Sequence, residues 1–218
     1  MSIFHLILLA VLVFAAPVYA EDQTAYYNNT GEEVTTGASS PAYEPSDSPA
    51  QAPVAQVQPQ KNIYEMIEEA QQLASDKFGL SQPVKSIMKS IKKVESGGNP
   101  WALCVNLGDG KFYSIHPRNY YEAVYYLEHL KTDNIDIGPW QVNYISWGRR
   151  YGYKKTDLLN PYISAMLAAY ILYSEIAQHG STWDAIGNYH SHTLWRKVRY
   201  VKNVKAELRK EGYLVDSR

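Results

Sequence analysis

Residues 81–103 read SQPVKSIMKSIKKVESGGNPWAL. Ser81 can cap a helix and Pro83 suits its first turn, whereas the Gly-Gly-Asn-Pro run that begins at Gly97 ends it. The apolar residues between them recur at the spacing of one helix face: Val84, Ile87, Met88, Ile91 and Val94. The stretch therefore predicts an amphipathic helix whose last turn holds Glu95.

Glu95 occupies the next position of that apolar stripe, whereas the four lysines of the helix fall elsewhere on the helical wheel. Partial burial and the negative end of the helix dipole both disfavour an ionised carboxylate there. A carboxylic acid that stays protonated is what a general acid needs. The alternative is an ordinary Glu near a helix end that turns to solvent.

Three further segments accompany the Glu-Ser block, and all four occur in a fixed order. They are ESGGNPWAL at residues 95–103, DIGPWQVN at 136–143, Asn160-Pro161, and WDAIGNYHS at 183–191. Over about residues 80–200 this order resembles lytic transglycosylases with a lysozyme-like, Slt-type catalytic domain. Their pattern is Glu-Ser followed by Asn-Pro, then Gly-x-Met-Gln, an Asn-Pro helix start and Ala-x-x-x-Tyr-Asn. Two residues depart from it: Trp140 stands where Met is usual, and His190 where Asn is usual.

The resemblance implies a catalytic role for Glu95 and a substrate-binding role for residues around it. The implied substrate-binding residues are Ser96, Asn106, Trp140, Gln141, Asn143, Tyr189 and His190. Five of them have a structural alternative: Gln141 could cap a helix or satisfy the core, Tyr189 or Trp140 could fill the core, and the two asparagines could be loop polar groups.

The chemistry that the resemblance implies needs one acid/base. Glu95 would protonate the glycosidic oxygen of a MurNAc-β-1,4-GlcNAc bond and then take the proton of the sugar's own 6-hydroxyl. The intramolecular attack closes a 1,6-anhydro-MurNAc ring without water, metal or cofactor. One alternative is a hydrolytic muramidase of the same fold, with Asp109, Asp133, Asp136 or Asp184 activating water. The other is a non-catalytic peptidoglycan-binding component of a secretion apparatus.

The spacing between Glu95 and Gln141 is long. The intervening segments 102–106 and 116–130 resemble an insertion in transglycosylases associated with conjugation and type IV secretion. The expected partners are thus peptidoglycan glycan strands, together with components of a secretion or conjugation machine.

The sequence predicts a mainly α domain, a lysozyme-like α+β fold with a small hairpin. Helices are predicted at Lys61–Phe78, Asn119–Lys131 (with Asn119 and Glu122 as a capping box), 161–179, Trp183–His190 and Leu194–Lys210, and a hairpin within Val105–Ile115. The apolar helix 161–179 is read as a core helix rather than a membrane span.

Two segments precede this domain. Residues 1–20 carry no charged side chain and end in Val-Tyr-Ala, which predicts a signal peptide and export to the periplasm, or secretion. An uncleaved anchor is the alternative. Residues 21–60 hold six acids, no base and several prolines, which predicts a disordered linker, so that residues 61–218 form the folded domain.

The composition excludes several classes of protein and of binding site. The whole chain has 21 basic and 22 acidic residues, which argues against a nucleic-acid binder, and it has no Gly-rich phosphate loop. A single Cys excludes an internal disulfide or a Cys-cluster zinc site, and His190 with His192 lacks further metal ligands at a matching spacing. We therefore expect no metal and no cofactor. Residues 61–218 hold 21 bases against 16 acids, which suits an anionic or carbohydrate polymer.

Overall fold

The computed structural model describes residues 61–213. The predicted signal peptide (1–20) and linker (21–60) lie outside the described residues, as do residues 214–218. Helices make up 63% of the described chain, beside one small antiparallel sheet, which confirms the mainly α fold class.

Six α-helices occur in the described residues. They are α1 (Ile63–Lys77), α2 (Gln82–Ser96), α3 (Tyr120–His129), α4 (Pro161–His179), α5 (Trp183–His190) and α6 (Leu194–Lys210). Each predicted boundary is confirmed to within two residues, because strong local signals stand at the helix ends. The Asn160 side chain, for example, accepts a hydrogen bond from the Tyr162 N–H at 2.9 Å, and Pro161 starts α4.

Two predicted caps differ in detail. Ser81 is the N-cap of α2, but its hydroxyl makes no capping bond. One reason is that Pro83 stands at the second helical position and has no N–H to offer. Asn119 does accept from the Glu122 N–H at 3.0 Å, yet the Glu122 carboxylate binds Arg118 instead of closing a capping box.

Helix α4 is the central helix of the domain. It packs against α1, α5 and strand β4 (Val142–Asn143), and its buried residues lie all around its axis. Within residues 61–213, no helix is both long and apolar enough to span a membrane.

The sheet has four strands in the order β2-β1-β3-β4, all antiparallel. Strands β1 (Leu103–Gly108) and β2 (Lys111–Ile115) form the predicted hairpin. Strands β3 (Ile135–Ile137) and β4 were not predicted. With three and two residues, they are too short to display an alternating pattern in the sequence.

The two faces of this sheet differ in chemistry because successive strand residues point to opposite sides. The face on the core is apolar and consists of Leu103, Val105, Ile135, Ile137 and Val142. The other face, which we call the polar face, carries Cys104, Asn106, Asp136 and Asn143. This alternation brings residues from three separate parts of the sequence onto one surface.

The turn 138–141 connects β3 to β4 and demands glycine at its first position. Gly138 has φ +79°, and a Cβ there would lie 3.2 Å from the Leu158 carbonyl oxygen. The Gly138 N–H donates to the Ala102 carbonyl at 2.8 Å, which ties the turn to the segment after α2.

Gly138→Ala should therefore lower the free energy of unfolding by about 1–3 kcal/mol, from left-handed strain together with the backbone contact. Gly152→Ala is the matched control, because Gly152 has φ +83° but open space around the added Cβ. Denaturant unfolding of both variants separates the two effects. An equal loss in both would show that the contact with Leu158 contributes nothing.

Candidate active site

Glu95 lies in the last turn of α2, just before Gly97 ends the helix with φ 68°. Its side chain is 12% exposed, so it is not turned out to solvent as the alternative interpretation had it. Its carboxylate charge acts on groups from the sheet, α5 and α6, which places it at the meeting point of these elements.

His190, at the end of α5, is the basic residue that faces the Glu95 carboxyl. Its Nδ1 lies 3.6 Å from Glu95 Oε1, and its ring stacks on Tyr200 of α6 with centroids 4.6 Å apart and planes 7° from parallel. The interaction with Glu95 raises the His190 pKa, although partial burial opposes the shift.

Tyr200 was not among the predicted site residues. It is 4% exposed, and burial, followed by the Glu95 charge, raises its pKa well above the ordinary value. A contact with the Glu95 carboxyl adds to this shift, and the hydroxyl has no other hydrogen-bond partner within residues 61–213. A buried hydroxyl beside a carboxyl is a donor available to that carboxyl or to a ligand.

Tyr189 lies on α5 beside the same carboxyl. Its hydroxyl donates to the Trp140 carbonyl at 2.9 Å, so it anchors the turn 138–141. Burial and then the charges of Glu95 and Asp136 raise its pKa well above the ordinary value, so the hydroxyl stays protonated.

Asp136 faces Glu95 from the polar face of the sheet. Its two carboxylate oxygens accept hydrogen bonds from the Asn106 amide at 2.8 Å and the Asn143 amide at 2.7 Å. Burial raises its pKa, the two amides oppose that shift, and the Glu95 charge adds to it. The two asparagines thus hold a second carboxyl in the site, each through one amide N–H.

The other three carboxylates considered for water activation lie elsewhere. Asp109 is in the hairpin turn between β1 and β2, Asp133 pairs with Arg149 and Lys155, and Asp184 pairs with Lys197. Asp136 is the member of that group whose charge is coupled to Glu95.

Ser96 and Gln141 both bind protein backbone. The Ser96 hydroxyl donates to the Pro139 carbonyl at 2.7 Å and accepts from the Gly98 N–H. The Gln141 amide donates to the carbonyls of Ala102 and Gly138 at 3.0 and 2.9 Å. Gln141 also has φ +48°, a left-handed conformation that non-glycine residues rarely adopt. Its side-chain oxygen is the atom left to meet a ligand, and Ser96 positions the turn.

The first, second and fourth blocks of the sequence therefore converge on the turn 138–141, next to Glu95. This chain matches the family described as the transglycosylase SLT domain over residues 72–210, more than half of its length. The chain belongs to the SLT transglycosylase family. This confirms the lysozyme-like fold and the general assignment to peptidoglycan lytic transglycosylases. No curated protein and no solved structure gave a match.

Trp140 departs from the SLT pattern, and its predicted sugar contact is wrong. The side chain is 0% exposed, so no sugar can stack on it, and it fills the core as the structural alternative held. The Lys92 ammonium lies 5.7 Å from its ring centroid.

Lys92 is buried, although the helical wheel of α2 places it off the apolar stripe. Its side chain is 2% exposed, and its amine pairs with Glu68 Oε1 at 2.5 Å. The long aliphatic stem lets a residue off the apolar stripe bury itself while its charge reaches a carboxylate nearer the surface. Burial lowers the Lys92 pKa, and the pairing with Glu68 opposes that shift.

Cys104 stands opposite Asp136 on the polar face of the sheet. Burial, with the Asp136 charge second, raises the Cys104 pKa to about 11. The thiol therefore stays protonated, which disfavours a nucleophilic role in this SLT domain. The two histidines of the His-x-His pair have different partners: His190 faces Glu95, whereas His192 pairs with Glu175 at 3.5 Å.

Proposed function

We propose that this SLT-family chain is an exported peptidoglycan lytic transglycosylase that cleaves the MurNAc-β-1,4-GlcNAc bond and leaves 1,6-anhydro-MurNAc ends. The observation that carries the proposal is the largely buried Glu95 carboxyl, surrounded by Tyr189, His190 and Tyr200, in a chain of this family.

In this proposal Glu95 is the only acid/base. It protonates the glycosidic oxygen, then accepts the proton of the 6-hydroxyl as that oxygen attacks the anomeric carbon. Acid and base roles alternate on one group, so the carboxyl ends the cycle as it began. The 6-hydroxyl is part of the same sugar, which makes the attack intramolecular and favours it over attack by water.

The groups around Glu95 support these two steps. Tyr200 offers a buried hydroxyl beside the carboxyl. Tyr189 and Ser96 hold the turn 138–141 next to it, and the Gln141 side-chain oxygen can accept from a sugar hydroxyl. We propose that the glycan lies against Glu95 and the polar face of the sheet, at a binding site that we call the groove.

A hydrolytic muramidase is the second candidate, and Asp136 is the observation that favours it. Its carboxyl faces Glu95 with a raised pKa, as a water-activating base would. The two functions differ in product, since hydrolysis leaves a reducing MurNAc end that is one water heavier.

Mass spectrometry of muropeptides released from purified sacculi tests the proposal. We expect anhydro ends in the products of the full-length chain. Reducing ends would establish the muramidase, and sedimentation with sacculi without release would establish a non-catalytic binding component.

Export to the periplasm, or secretion, is part of the proposal and rests on the sequence of residues 1–20. Components of a secretion or conjugation machine are the proposed partners, on the resemblance of segments 102–106 and 116–130. Fractionation of cells that express the full-length chain tests its location.

A further inference from the structure

His190 is in contact with Glu95 on one side and with solvent on the other. Its Nδ1 lies 3.6 Å from Glu95 Oε1, and its side chain is 43% exposed against 12% for Glu95. The stacking on Tyr200, with planes 7° from parallel, fixes the plane of the ring. A titratable group therefore stands between solvent and the catalytic carboxyl.

We propose that His190 is a positioning residue that holds the catalytic proton while the site is open and passes it to Glu95 when a glycan fills the groove. The inference rests on the proposed function and assigns a role to the position where the SLT pattern usually has Asn.

The charges around His190 favour its protonated form in the open site. Glu95 faces it from α2, Asp136 from β3 and Arg196 from α6, so two carboxylates oppose one guanidinium. The contact with Glu95 is the largest influence and raises the His190 pKa, while desolvation opposes it. In this proposal the open site therefore holds a carboxylate beside an imidazolium.

A bound glycan changes this balance because it excludes water. An ion pair loses more solvation than the neutral pair of carboxylic acid and imidazole, so closure of the site favours the neutral form. The His190 Nδ1–H bond breaks, the Glu95 Oε1–H bond forms, and the imidazole is left neutral. The two atoms must approach by roughly half an ångström to reach hydrogen-bond distance.

Over one turnover the enzyme neither gains nor loses a proton. Glu95 gives the transferred proton to the glycosidic oxygen and receives another from the 6-hydroxyl. When product leaves and water returns, that proton goes back to His190. No oxidant, metal or net proton exchange with solvent is required.

The proton shared by His190 and Glu95 should be visible in the pH–rate profile. A pair that shares one proton keeps it to higher pH than Glu95 alone, because the raised pKa of His190 sets the alkaline limit. His190→Asn, which installs the usual family residue, should therefore move the alkaline limb of kcat/KM to lower pH by about two units or more, because about two units separate the ordinary pKa values of His and Glu side chains. The loss should be concentrated on the alkaline side.

His192→Asn is the matched control. His192 lies two residues further along, is 70% exposed and pairs with Glu175 instead of Glu95. Its profile should coincide with that of the parent. Superimposable profiles of the parent and a folded His190→Asn variant would overturn the proposal.

A second measurement does not depend on turnover. NMR titration of the His190 ring in the full-length chain should show a midpoint that falls by about one pH unit in Glu95→Gln, because the anionic partner is gone. An unchanged midpoint would overturn the pairing. If instead the midpoint falls but the parent releases no anhydro-muropeptides at any pH, the pairing stands and the proposed function fails, together with the proton transfer that depends on it.

Discussion

Glu95→Gln should lower the rate of anhydro-muropeptide release by about 10²–10⁴-fold, the range typical of losing one general acid/base. The amide keeps the shape of the side chain but can neither give a proton to the glycosidic oxygen nor take one from the 6-hydroxyl. We expect the variant to fold, because a neutral amide replaces a carboxyl that is only 12% exposed, and to bind sacculi as the parent does.

Initial rates of release from sacculi, with sedimentation binding and thermal unfolding on the same samples, check this expectation. Asp184→Asn is the control: it makes the same chemical change on a carboxylate that is 59% exposed and pairs with Lys197 away from the site. Its rate should stay near that of the parent. If Glu95→Gln keeps a tenth or more of the parental rate, Glu95 is not the acid/base, and Asp136 becomes the residue to replace.

Trp140→Ala should lower the free energy of unfolding by about 3–5 kcal/mol, the cost of emptying a large aromatic site in a core. The side chain is wholly buried, and the backbone carbonyl of the same residue receives the Tyr189 hydroxyl at 2.9 Å. A cavity there should loosen the turn that Ser96, Gln141 and Tyr189 hold against Glu95, so activity should fall with stability.

Denaturant unfolding measures this loss, with Trp195→Ala as the control. Trp195 is 62% exposed, so its removal should change stability by no more than about 0.5 kcal/mol. Trp140→Phe keeps most of the ring volume and should retain most of the stability. A stable Trp140→Phe that no longer binds glycan would restore the sugar contact that the sequence suggested, against the burial seen in the structure.

Helix positions could be read from the sequence because their signals are local. Asn160-Pro161 and Gly180 frame α4. The apolar spacing of α2 likewise put Glu95 on the inner side of its last turn. These features depend on residues within one or two helical turns of each other, so no knowledge of the fold is needed.

The short strands β3 and β4 could not be read in this way. They exist because β1 offers a partner edge to β3 and β3 in turn offers one to β4, whereas a strand of two or three residues has no stability or pattern of its own. Their pairing is what turns Asp136 and Asn143 onto the same face as Asn106. The second carboxyl of the site is therefore a product of sheet register, which forms only with the tertiary structure.

The sequence by itself determined the family and the helices and singled out Glu95 as the proposed acid/base, since ordered blocks and periodicity are properties of the linear chain. Only the tertiary structure decided that Trp140 is core, that Lys92 is buried, and that Tyr200 stands beside Glu95. Tyr200 lies on the same buried face of α6 as Val204 and Leu208. Their spacing predicts that this face is packed, but it does not predict which residues lie against it. Contacts between residues a hundred positions apart depend on how helices pack, and no local pattern encodes which side chains then meet.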